Sequence, residues 1–194
     1  MIQIPIKERV ANKMTKTQKL VLTAMFIATG IVLPIAFHTI PNAGRIFLPM
    51  HIPILLCGLI IGFPYGLACG IITPLLSSLA TGMPPAAILP AMVCELAAYG
   101  TVSALLMRYF PIKEIFARTY VSLIGAMIAG RILFGILNAL IFSFGEYSMR
   151  MWLTTAIITA LPGIAIQIVI IPLIILTLQK TNLINTKQGN SSSA

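Results

Sequence analysis

The stretch PAMVCELAAYGTVSALLMRYF, residues 90–110, holds one carboxylate, Glu95, and no other charge until Arg108. It is about as long as the 20 residues a helix needs to cross a bilayer. On a soluble helix a lone glutamate faces water and needs no explanation. Inside a bilayer it is expensive, and it marks either function or a partner. The solvent around this run therefore decides both the fold and the meaning of Glu95.

Composition settles the solvent. Only 9% of the 194 residues are charged and 58% are hydrophobic, with a mean hydropathy of +1.00. A soluble domain carries about a quarter charged residues, because its surface must face water. The chain reads as an integral membrane protein forming one compact all-α bundle. Its net charge of +9 is not spread as a nucleic-acid-binding stripe with interleaved aromatics. Lys7, Arg9, Lys13, Lys16 and Lys19 instead crowd the segment before the first apolar run, as cytoplasmic anchors do. That polar lead is long and no small-residue cleavage site follows, so the first run reads as a retained helix rather than a signal peptide.

Six spans are expected, at about 18–37, 47–63, 65–81, 86–108, 119–142 and 151–178. The second and third are short and separated only by the turn GFPYG, residues 62–66, which leaves a re-entrant hairpin as the alternative. With the N-terminus inside, the inner side receives ten basic residues: the five above, Arg108, Lys113, Arg118, Lys180 and Lys187. The outer side receives two, Arg45 and Arg150. This bias places both termini in the cytoplasm. Residues 1–17 form a basic cytoplasmic segment, 18–180 the transmembrane domain, and 181–194 a polar tail expected to be disordered. No internal repeat is evident, and Pro74 and Pro172 do not occupy corresponding places in two halves, as a pseudo-symmetric secondary transporter would require.

Glu95 and Arg131 are the charges that lie well inside spans, away from their ends. At about 1.5 Å per residue they lie roughly 14 Å and 16 Å below the outer edge, so a contact between spans four and five is feasible. Tyr99 shares a helix face with Glu95, and Asn138 with Arg131. The four residues read either as helix-pinning pairs or as a polar column lining a ligand cavity that opens outwards. Ala24 and Ala28, in TAMFIATG, are small residues four apart, a spacing that lets helix backbones approach closely, either within the chain or against a partner. His38 and His51 flank the first outer loop and read as interfacial or gate residues, while Tyr147 and Trp152 suit an outer aromatic belt. Met83, Pro84 and Pro85 form a stiff outer turn that could cover a ligand. Cys57, Cys69 and Cys94 lack CxxC spacing and read as small buried hydrophobes. No metal cluster is legible, and no cofactor is expected. A phosphate loop and hydrolase motifs are absent from the sequence, so the chain is not read as an enzyme.

About six short spans, the AxxxA pair and the basic N-terminus resemble the substrate-binding (S) component of energy-coupling factor (ECF) transporters. LPMHIPILLCGLIIGFPYG, TPLLSSLATGMPP and CELAAYG are similar to its pantothenate-type branch, and the likeness covers most of residues 16–180. The resemblance implies a multi-pass protein of a bacterial cell membrane that binds a vitamin from outside. It implies as partners a transmembrane coupling protein and two cytoplasmic ATPases, with Ala24 and Ala28 facing the coupling protein and release following toppling of the subunit. Pantothenate is the expected cargo, with Arg131 on its carboxylate and Asn138 and Tyr99 on its neutral groups, provided the charge of Glu95 is compensated. Hydroxymethylpyrimidine or pyridoxine is the alternative, and an unpaired Glu95 would favour it. A stand-alone transporter using Glu95 as a proton site is the rival outside the family.

Overall fold

The computed structural model describes residues 14–37, 43–112, 114–139 and 148–180. His38, Tyr147 and Lys113, the basic residues before position 14 and the tail from 181 lie outside these segments. The described elements are helical: α1 (Lys16–Ala36), α2 (Ala43–Phe47), α3 (His51–Ile60), α4 (Tyr65–Thr81), α5 (Leu89–Tyr109), α6 (Ile115–Leu137), α7 (Met149–Trp152), a π-helical segment (Leu153–Ile158) and α8 (Leu161–Lys180). Four of them, α1, α5, α6 and α8, are long and apolar enough to cross a membrane, and α3 and α4 are shorter apolar helices.

Local chemistry explains most of the boundaries. Thr15 opens α1 with a reciprocal capping box, its hydroxyl accepting from Gln18 N–H while the Gln18 side chain accepts from Thr15 N–H, which satisfies two otherwise orphaned donors. Gly82 closes α4 with a left-handed φ of 71°, a conformation glycine adopts without a side-chain penalty. The turn after it is held by the hydroxyls of Ser77 and Ser78, which donate to the carbonyls of Met83 and Pro84 at 2.7 and 2.8 Å.

Two expected spans differ from what the chain forms. The run 47–63 is broken at Leu48, whose φ is +51°, so that α2 and α3 are separate and α3 has only 10 residues. Pro49 and Pro53 each lack a backbone N–H donor. Run 151–178 is likewise divided: Thr159 N–H donates back five residues to Thr154, and Pro162 then starts a fresh helix. The fifth span begins at Ile115 and ends at Leu137, a few residues earlier than expected.

The centre of the molecule is α3, eight of whose ten residues are buried. Its Ile54, Leu55 and Cys57 are fully covered and pack with Cys69, Leu96, Tyr99, Leu123 and Ile171 in one apolar core. Glycines bring α3, α4 and α5 into close contact. A methyl group on Gly66 would collide with the Gly100 carbonyl, one on Gly100 with Gly66, and one on Gly58 with the Ser103 hydroxyl. In lipid, where water does not drive helices together, close backbone approach of this kind supplies the packing energy. By contrast α1 lies at the edge, with only Thr23 and Gly30 buried.

Arg118, one of the expected inner-side basic residues, is buried at 6% exposure. Its guanidinium binds the Ile112 carbonyl through Nε at 2.6 Å and also through Nη2. It clasps the α5–α6 turn rather than reaching out to lipid headgroups. Cys57 and Cys69 are buried, Cys94 is half-buried, and none of the three forms a disulfide among the described residues.

Candidate functional site

The α5–α6 hairpin sets the register of the site. Glu95 follows the start of α5 at Leu89 by six residues (95 − 89), and Arg131 precedes the end of α6 at Leu137 by six (137 − 131). Antiparallel packing therefore brings the two side chains to one level, and Arg131 Nη1 lies 3.0 Å from Glu95 Oε1. One turn on, the Tyr99 hydroxyl donates to the same oxygen at 3.1 Å. Tyr99 fits because α6 has a glycine opposite it: a methyl group on Gly130 would strike the Tyr99 ring.

A fourth group joins these three. His51, the first residue of α3, is 2% exposed. Its Nε2 lies 3.9 Å from Glu95 Oε1, beyond hydrogen-bonding distance, and its ring packs against Tyr99 with centroids 5.2 Å apart. The interfacial place expected for His51 is thus corrected: the Leu48 corner turns the start of α3 into the protein. Three polar groups converge on a single oxygen of Glu95. Among the described residues nothing donates to its other oxygen, Oε2.

Such a cluster is costly to bury. A buried ion pair stands only where the geometry is good and the remaining donors are satisfied. Here Arg131 Nε and Nη2 and both ring nitrogens of His51 are buried with no hydrogen-bond partner among the described residues. Four donor or acceptor positions beside one compensated carboxylate can hold a polar molecule in a water-poor setting. Among the described residues no group of three His, Cys, Asp or Glu side chains could hold a metal ion.

The other candidates fall in different places. Asn138 is buried at 7%, but its amide donates to Phe134 O at 2.8 Å on its own helix. Of the expected column of four, Glu95, Tyr99 and Arg131 are in direct contact, and His51 packs beside them. Trp152, read from sequence as a belt residue, donates its indole N–H to the Arg131 carbonyl at 3.1 Å. It lies where Gly135 leaves room for the ring, and so braces the backbone that carries the arginine. Ala24 and Ala28 are both exposed on α1. Among the described residues nothing covers them.

Four helices long and apolar enough to cross a membrane, packed around a buried charge cluster, define a multi-pass helical membrane protein. The sequence model of the ECF transporter substrate-specific component matches residues 18–175. The chain belongs to that family: it is a multi-pass membrane subunit that binds a vitamin-type substrate for transport and is not itself an ATPase. No curated protein and no solved structure is significantly similar to it.

Proposed function

We propose that the chain captures pantothenate from outside and delivers it by docking on a transmembrane coupling protein that bears two cytoplasmic ATPases. The observation that carries the ligand assignment is the division of the Arg131 guanidinium. One nitrogen compensates Glu95, while Nε and Nη2 remain buried and unpartnered. With Glu95 compensated, the site does not repel an anion, and the two spare donors form one edge of a planar fork suited to a carboxylate. Tyr99 and His51 border the same space and suit the amide and hydroxyls of pantothenate.

One feature favours a second reading. The unused Glu95 Oε2, beside the His51–Tyr99 ring pair, would accept from a donor-bearing heterocycle such as hydroxymethylpyrimidine or pyridoxine. Mass spectrometry of the molecule that co-purifies with the chain separates the two. For pantothenate, Arg131→Lys keeps the charge opposite Glu95 but loses the fork, so titration of the purified protein should show at least about tenfold weaker binding. Equal affinity in wild type and Arg131→Lys would remove the arginine from the ligand.

A further inference from the structure

Gln167 is one of the buried polar side chains beyond those around Glu95, with Arg118 and Thr119, that have an atom without a partner among the described residues. It is 1% exposed, and its Oε1 has no partner among the described residues. It follows the start of α8 at Leu161 by six residues (167 − 161), the same distance from the helix end as Glu95 and Arg131. Its Nε2 reaches the Leu48 carbonyl at 3.5 Å, and the backbone N–H of His51 donates to that same carbonyl at 3.1 Å. Gln167 thus sits on the first turn of α3, where His51 projects towards Glu95 and Tyr99.

Leaving such atoms unpaired lowers stability, and an apolar side chain of similar shape would avoid the loss. Retaining both is explained if a ligand satisfies them. Resting on the reading of the Glu95–Arg131 cluster as the substrate site, we propose that His51 and Gln167 are its specificity-determining residues, taking the ligand's neutral hydroxyl or amide groups while Arg131 takes its anionic end. A neutral imidazole offers one donor and one acceptor, and Gln167 Oε1 offers an acceptor. The complementary ligand presents at least two donors and one acceptor next to a carboxylate. A site built this way rejects analogues that lack a hydroxyl, because its own buried groups are then left unpaired.

The test uses the purified full-length chain as wild type, His51→Phe and Gln167→Leu. Each is titrated with pantothenate, hydroxymethylpyrimidine and pyridoxine, and each is melted without ligand. The expected result has opposite signs: melting temperatures equal to or above wild type, with affinity for the vitamin that wild type binds reduced about tenfold or more. A purely structural role would instead lower the melting temperature, and that outcome overturns the proposal. So does unchanged affinity in both variants. Should the larger ring of His51→Phe fail to pack, Gln167→Leu, similar in size to the glutamine, carries the same comparison. Wild-type protein that binds none of the three vitamins overturns the underlying site reading and this proposal with it. Wild type that binds while both variants bind equally well removes only the roles of His51 and Gln167.

Discussion

Arg131 stands between a carboxylate of the protein and the proposed carboxylate of a ligand, so its removal has two separable effects. Arg131→Ala leaves Glu95, which is 3% exposed, without its 3.0 Å partner. Breaking a buried pair from one side costs about 3–5 kcal/mol. The expected outcome is a clear drop in melting temperature together with loss of binding. Arg131→Ala combined with Glu95→Ala should recover much of the stability and none of the affinity. If the double variant is no more stable than the single one, the pair is not what Arg131 contributes to the fold. The Glu95–Arg131–Tyr99 grouping is legible in the sequence because isolated charges in apolar runs have few explanations, and the i+4 spacing fixes the tyrosine. His51 and Gln167 are not legible. A single neutral polar residue near the end of a span looks the same whether it faces headgroups or is turned inward by a corner several residues away. For Asn138, helix periodicity gives a face but not the Phe134 carbonyl to which its amide donates.

At the scale of elements, the glycines of α3, α4 and α5 act as contact surfaces. Those in GFPYG read from sequence as turn formers, and Gly62, with φ +99°, is one. Gly66 instead lies in α4 against Gly100. Gly100→Leu should therefore push α4 from α5 and lower thermal stability by about 2 kcal/mol or more, measured by the melting temperature in detergent. Gly44→Ala, where nothing lies near the added methyl, serves as the control and should leave the melting temperature unchanged. Trp152→Phe retains most of the ring against Gly135 but loses the hydrogen bond to the Arg131 carbonyl. A loss of about 1 kcal/mol is expected from denaturation. The break between the π-helical segment and α8 is marked in sequence by Pro162. The short α3 is harder to foresee, because an all-apolar run gives no period from which to tell a spanning helix from a buried one.

At the scale of the whole molecule, the interior is organised around α3, and α1 is left at the periphery with Ala24 and Ala28 uncovered. Leu20, Val21 and Met25 are exposed around them. If this face docks on the coupling protein, Ala24→Trp or Ala28→Trp should stop vitamin uptake in proteoliposomes holding the complete transporter. Binding by the isolated chain should be unchanged. Normal uptake by both variants would move the docking surface elsewhere. The enclosure of α3 has a separate consequence for life in lipid. Ten residues at about 1.5 Å each span half a typical hydrocarbon layer, and a helix so short in contact with acyl chains would force the bilayer to thin around it. Because eight of its ten residues are buried in protein, α3 offers little surface to acyl chains. The thickness that this protein demands of its host bilayer is set by the outer helices alone. The corner at Leu48, which turns the start of α3 towards the Glu95 cluster, therefore places little elastic demand on the surrounding lipid.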